Sequence, residues 1–312
     1  MGNHREGRLL FIKNITPLFI GSSEIGVIDK PLQRDHLGLP IIFSSSLKGA
    51  LRRQIDLNND EKTLIFGSSP EEAGEEKNPG NIAFLDARPL FVPARSLIGT
   101  YLYITSPLLL RKLKEYSEII GLNLNINLDN IKIDESKAIL LNEGNRNISE
   151  KEKSNNTEKV YINEFEFTLD TKDTNIPNNL NNSIDEIITL LGLKDEPIVL
   201  ISDERIVDVV DKSTIKYWRN RLEMHKKVTV RGGLWSEEYM PDGTVFVSGF
   251  VKTIYKASQD THNIQNNKDN NKDLVKILDK KLNKSLIFIG GLESIGKGLV
   301  VLYTYPQNEN SK

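Results

Sequence analysis

Near the C-terminus the chain runs Ile287-Phe288-Ile289-Gly290-Gly291-Leu292-Glu293-Ser294-Ile295-Gly296-Lys297-Gly298-Leu299-Val300-Val301-Leu302, with four glycines and a lysine between two apolar runs. Gly291, Gly296 and Lys297 satisfy the G-x-x-x-x-G-K spacing of a phosphate loop, but the next position, which must carry a hydroxyl for magnesium, is Gly298. A phosphate loop also opens a helix, whereas Leu299 to Tyr303 has the β-branched and aromatic character of a strand. The pattern argues against a nucleotide hydrolase. A strand, a glycine loop with one cation and a second strand suit the approach of bare backbone N–H groups to a polyphosphate such as RNA.

Two further constellations carry charge. Ser44-Ser45-Ser46 precedes Leu47-Lys48-Gly49-Ala50-Leu51-Arg52-Arg53-Gln54-Ile55, and serines before an apolar-periodic run predict a helix start. Leu47, Ala50, Leu51 and Ile55 fall on one face and Lys48 and Arg52 on another, so hydroxyls, free N–H groups and cations would converge on one anion. An ordinary amphipathic helix with a solvated basic side has the same pattern. From Lys212 to Arg231, Lys212, Lys216, Arg219, Arg221, Lys226, Lys227 and Arg231 oppose Glu223, with Tyr217, Trp218 and His225 interleaved. Single-stranded nucleic acid needs such a mixture, because bases stack on rings while phosphates meet cations. The alternative is a surface hairpin with Trp218 in the core.

Positioning these groups requires a real core, and 312 residues at 38% hydrophobic content can build one. The balance of 41 basic against 43 acidic residues argues against an indiscriminate polyanion binder. Without cysteine, disulfides, thiol nucleophiles and thiolate zinc sites are excluded. His4, His36, His225 and His262 show no metal-ligand spacing. No stretch has the length of a membrane span and the start lacks a signal-peptide core, so the expectation is a cytoplasmic protein without a membrane partner.

Periodicity predicts strands at Arg8 to Ile12, Ile41-Ile42, Ile82 to Leu85, Leu122 to Leu128 and Phe165 to Leu169. It predicts a helix opened by Pro107 and another begun by a Ser183/Glu186 capping box and stopped by Gly192. The fold class is α+β, of the ferredoxin-like or RNA-recognition type. Polar segments near 61–80, 142–159 and 259–272 read as mobile insertions into a single domain spanning 1–312.

Gly26-Val27-Ile28-Asp29-Lys30-Pro31-Leu32-Gln33-Arg34-Asp35, His36 to Ile42 and Ser45 to Arg52 closely resemble the backbone subunit of type III-B CRISPR effector (Cmr) complexes. Asp86-Ala87-Arg88, Pro93 to Leu97, Tyr103 to Pro107 and Leu234-Trp235-Ser236-Glu237-Glu238-Tyr239-Met240-Pro241 follow in the family's order. The wider superfamily, the repeat-associated mysterious proteins (RAMPs), has a modified RNA-recognition fold with a C-terminal glycine loop.

The resemblance implies a subunit that polymerises into a helical filament along a CRISPR guide RNA beside other Cmr subunits. It implies phosphate contacts from Ser45, Ser46, Lys48, Arg52, Arg53 and the loop residues Gly290, Gly291, Gly296, Lys297 and Gly298. It also implies a thumb hairpin near 217–235, with Trp218, Arg219 and Arg221 on RNA, that displaces a nucleotide at intervals. Complementary target RNA would then be cut with a divalent metal, Mg²⁺, in chemistry where Asp29 is catalytic and a candidate metal ligand, with Glu237 and Tyr239 as further catalytic residues near the scissile bond. Read alone, Asp29 is a turn aspartate before Lys30-Pro31. Two departures stand out: Thr16-Pro17-Leu18-Phe19 places Phe19 where the family commonly has histidine, and Phe43-Ser44-Ser45-Ser46 replaces Pro-Gly-Ser-Ser. A non-catalytic RNA-binding scaffold is the alternative. Guide-RNA processing would call for a histidine base that this chain does not place.

Overall fold

Strand β1 (Gly7–Asn14) is apolar on both faces: Leu10 and Ile12 pack into one hydrophobic cluster and Leu9 and Phe11 into another. Successive strand side chains point to opposite faces, so such a run belongs in a sheet covered on both sides. The structure is a computed structural model, and it describes residues 5–22, 27–68, 79–128, 131–151, 157–170, 178–253 and 273–307.

After β1 come α1 (Ser44–Gln54), α2 (Asn59–Phe66), β2 (Ile82–Phe84), β3 (Arg88–Arg95), β4 (Tyr101–Thr105) and α3 (Pro107–Ile119). The middle of the chain supplies β5 (Lys137–Asn142), β6 (Ser149–Lys151), β7 (Glu158–Ile162), β8 (Phe165–Asp170), α4 (Asn178–Leu190), β9 (Ile198–Ile201) and α5 (Asp203–Ser213). β10 (Ile215–Leu222), β11 (Thr229–Tyr239), β12 (Val245–Lys252), α6 (Leu274–Leu282), β13 (Leu286–Phe288) and β14 (Leu299–Tyr305) complete it.

The main sheet runs β13-β14-β1-β12-β3-β4-β9-β5-β8-β7-β6, with β2 also paired to β12. β1 sits between β12 and β14, antiparallel to both. In β12, Phe246 and Phe250 face one cluster and Val245 and Val247 the other. Leu47 and Leu51 of α1, Ile206 of α5 and Leu278 of α6 cover the first face, while Leu113 of α3 and Ile187 of α4 cover the second. β10 and β11 stand apart as a two-stranded antiparallel ribbon.

Several elements differ from the sequence expectation. Leu124, Ile126 and Leu128 are buried in alternation, yet 122–128 forms no ladder. Alternation reports which face is covered, and here an extended chain lies on the second core without strand partners. Ser183 lies inside α4, which begins at Asn178, although Gly192 does end it, at φ 63° with the Leu193 N–H on the Ile188 carbonyl. Ile42 makes only an isolated bridge to Ala87.

The segment near 61–80 holds most of α2, whose Asn58–Glu61 capping box and buried Ile65 and Phe66 offset its ordering cost. The segment near 142–159 contains β6 and the start of β7. Residues 69–78, 152–156 and all of 259–272 lie outside the described residues. Pro107 opens α3 as expected, with Ser106 accepting from the Leu109 N–H.

Candidate nucleic-acid interface

The ribbon formed by β10 and β11 begins in the core and ends in solvent. Along β11 the residues from Ser236 to Tyr239 are buried, whereas Trp218 (72% exposed) and Met224 (87%) stand out towards water. Trp218 is therefore not a core residue.

The buried root of β11 holds the segment that carries Asp29. The Asp29 carboxylate accepts from the Ser236 N–H at 2.7 Å and the Ser236 hydroxyl at 2.9 Å, and the Asp29 N–H lies 3.0 Å from that same hydroxyl oxygen. These bonds hold Asp29 below the usual carboxylate range, so it is an exposed, ionised group. The Ser236 bonds use its Oδ2 atom.

One residue on, Lys30 and Glu237 bridge in parallel fashion, and the Lys30 ammonium sits 3.1 Å from Glu237 and 4.9 Å from the Trp235 ring centre. Glu237 also accepts from the Trp235 indole at 2.6 Å and from the Tyr239 hydroxyl. Burial pushes the Glu237 carboxyl up, but the bonds from Tyr239, Trp235 and Lys30 outweigh it and hold it below its ordinary value. Tyr239 is pushed up to about 12 by burial and by Glu237, so its proton stays available to donate. On the other face of β11, Glu238 accepts from the Leu32 N–H, Arg34 and Thr214. Consecutive residues Ser236, Glu237 and Glu238 thus hold Asp29, Lys30 and the Leu32–Arg34 stretch.

Glu237 and Tyr239, expected at a scissile bond, are 1% and 0% exposed with their polar atoms engaged. In this conformation they brace the Asp29 segment from inside. Phe19 packs its ring 5.6 Å from Tyr239 and accepts the Gly291 N–H on its carbonyl, so this position is a packing joint.

The glycine loop corrects the reading of bare N–H groups. The N–H groups of Gly291 and Gly298 go to the carbonyls of Phe19 and Pro17, and those of Gly296 and Lys297 to Glu293 and Leu292 within the loop. A Cβ on Gly290 would lie 2.1 Å from the Phe19 carbonyl oxygen, and one on Gly298 would lie 2.1 Å from that of Ile289. These two glycines are required by chain-on-chain packing at φ 83° and 79°. Lys297 lies over the rings of Tyr217 and Tyr239, at 5.5 and 5.0 Å, and so joins this loop to the ribbon root.

Helix α1 is docked on the same loop. Gln54 donates to the Phe288 carbonyl at 2.6 Å and accepts its N–H at 2.8 Å, and Arg53 pairs with Glu293. The serines do not cap α1 from outside, because Phe43 is the N-cap and Ser44 to Ser46 form the first turn. Asp86 takes the Ser44 N–H at 2.8 Å. The N–H groups of exposed Ser45 and Ser46 have no protein partner among the described residues, with half-buried Lys48 and Arg52 on the same helix.

A model of the RAMP superfamily matches residues 11–301. The "CRISPR system Cmr endoribonuclease Cmr4" of Pyrococcus furiosus is 33% identical over 300 residues, 94% of this chain and 93% of that one. The chain belongs to the RAMP superfamily, in the Cmr4 family. The "CRISPR system CMR subunit Cmr4" of Saccharolobus solfataricus is 28% identical over 94% of each chain. Among solved structures, a type III-B Cmr-beta complex bound to cognate target RNA contains a chain with TM-score 0.70 and 27% identity, covering 97% of this chain and 98% of that one. Oligomeric Cmr4 from Pyrococcus furiosus gives TM-score 0.67 at 27% identity, covering 96% and 98%.

Some residues of the RAMP motifs turn out to be architectural: Asp86 holds the start of α1, and Arg88 pairs with Asp35, which accepts from the Leu37 and Leu39 N–H groups. Lys30, Ser236 and Glu238 stood in the family motifs without a role of their own, and Gln54 was not singled out. Two adjacent carboxylates in a strand of a half-buried ribbon were the available signal, since each must find a partner on its own face.

Proposed function

We propose that this chain is the guide-RNA-binding backbone subunit of a type III-B CRISPR ribonucleoprotein, which polymerises along the guide beside other Cmr subunits and cleaves complementary target RNA at regular intervals. The observation that carries the reading is an exposed, ionised Asp29 anchored by Ser236 at the root of a basic, aromatic hairpin. The similarity to a Cmr endoribonuclease and to a chain in a target-RNA-bound complex supports it.

Asp29 below the usual carboxylate range is a weak proton acceptor, so its geometry suits fixed negative charge beside the scissile phosphodiester better than general-base work. No group of three or more His, Cys, Asp or Glu among the described residues could hold a metal alone. One exposed carboxylate does fit a hydrated Mg²⁺ that completes its shell with water and RNA phosphate, so Asp29 is the candidate ligand. When bound, such an ion supplies charge stabilisation at the phosphate oxygens. The chain's own part is placement: Ser236 fixes the carboxylate, and the hairpin fixes the strand that it faces.

Asp29→Ala in reconstituted complexes, given complementary target RNA and Mg²⁺, is expected to assemble normally and to lose the regularly spaced products. The scaffold reading draws on Phe19 in the histidine position and on the sequestered Glu237 and Tyr239. It prevails if the unmutated complex binds target and yields no such products.

A further inference from the structure

Tyr217 of β10 lies opposite Glu237 and Ile215 opposite Tyr239, which puts Tyr217 and Tyr239 diagonally on one face of the ribbon with ring centres 5.6 Å apart. Lys297 is half-buried, and its ammonium lies 5.5 Å from the first ring centre and 5.0 Å from the second. Both distances fall within cation–π range, so one charge touches both strands of the ribbon. Among the described residues no carboxylate pairs with Lys297, and nearby Glu237 is taken by Lys30 with Arg219 at 3.8 Å.

Each end of this contact is fixed. On the loop side the Lys297 N–H goes to the Leu292 carbonyl and the Gly298 N–H to Pro17, while Gln54 of α1 grips both backbone groups of Phe288. On the ribbon side the Tyr239 hydroxyl donates to Glu237, and the adjacent Ser236 gives its N–H and hydroxyl to Asp29. A charge over two rings thus stands between the part of the chain tied to α1 and the part that holds the carboxylate. We propose that Lys297 is a positioning residue for target cleavage, whose ammonium ties the glycine loop to the ribbon root and so fixes Asp29 relative to α1, instead of neutralising an RNA phosphate. The inference rests on the ribonuclease reading above and gives the loop lysine a part in placing the reacting strand, where small displacements cost much of the rate.

The test uses complexes reconstituted from the full-length chain, guide and target, with Lys297→Met, which keeps the stem and removes the charge, and Lys297→Arg, which keeps a cation able to lie on rings. Lys297→Met is expected to slow single-turnover cleavage at saturating target by about 3- to 30-fold, and Lys297→Arg to restore most of the rate. Affinity for RNA should keep the wild-type salt slope in both variants. A slope lowered by about 0.7 in Lys297→Met would make the lysine a phosphate contact and overturn the proposal. So would cleavage at the wild-type rate, or loss of assembly in Lys297→Met and Lys297→Arg alike, which would assign the side chain to a contact between copies. Hydrogen exchange in the full-length chain without RNA gives a second readout, because the Ser236 amide is bonded to Asp29. Lys297→Met should speed its exchange and Lys297→Arg should restore protection, and wild-type protection in Lys297→Met would overturn the proposal even if that variant alone fails to assemble. A wild-type complex that leaves target uncut counts instead against the ribonuclease reading, and exchange at Ser236 then decides the tie on its own.

Discussion

Glu237 shows how a carboxylate can matter to a site without entering it. It collects bonds from Lys30, Trp235 and Tyr239 while nearly all of it is out of water. Glu237→Gln would turn an amide N–H₂ towards groups that themselves donate, at a cost of about 1–3 kcal/mol near neutral pH. Because the folded-state carboxyl lies below its ordinary value, its stabilisation is present above the ordinary glutamate range and is lost as pH falls below that range. Thermal melting should therefore show wild type and variant converging in acid. Parallel melting curves down to the lowest accessible pH would remove Glu237 from its bracing role. Asp29 differs in kind: it is exposed, and its position comes from a neighbour 207 residues away in sequence.

Between β13 and β14 the glycine loop does two separable things. Gly298 is needed where the chain crosses Ile289, while Gly296, at φ 76°, has nothing within 4 Å of an added Cβ. Gly298→Ala should cost roughly 3 kcal/mol or more, since backbone and not side chain must move. Gly296→Ala should cost only about 1–2 kcal/mol, the penalty of the left-handed conformation. Equal losses in the two variants, measured by denaturant unfolding, would contradict this division. The spacing of the glycines was plain in the sequence, but their purpose was not. Sequence alone suggested N–H groups turned out to phosphate, whereas Phe19 and Pro17 accept two of them. The serines do mark the start of α1, but the Ser44 N–H is taken by Asp86, 42 residues away, which no local pattern could show.

For the whole molecule, α1 and the glycine loop form one assembly, locked by Gln54 and by the pair of Arg53 with Glu293, and this is the surface proposed to face the guide. Contacts to phosphate carry no sequence information, so Lys48→Ala or Arg52→Ala should weaken RNA binding evenly across sequences. Each lost contact should reduce the slope of log affinity against log salt by about 0.7 for a single strand. A titration series showing parent and variants with equal slopes would remove these cations from the interface. The apolar runs of β1, β12 and β9 are each divided between both cores, so the sheet is covered on two sides, and of these three strands only β1 was expected from the sequence. Rings among cations indicated the hairpin but left open whether Trp218 was core or surface, and its 72% exposure is a property of the folded ribbon.

By itself, then, the sequence determined the class of fold, the absence of thiol chemistry, the basic hairpin, and the motifs that place the chain among RAMP proteins. Those are properties of local pattern, where periodicity of two or 3.6 and the steric freedom of glycine speak directly. Tertiary structure alone decided that Ser236 holds Asp29, that Glu237 and Tyr239 face inward, and that Trp218 shares the carboxylate's side of the ribbon. Strand register is the reason. A slip of one residue in β11 would exchange its two faces, and nothing in a run of Ser-Glu-Glu-Tyr fixes that register until the buried root of the ribbon is packed against Lys30 and Leu32.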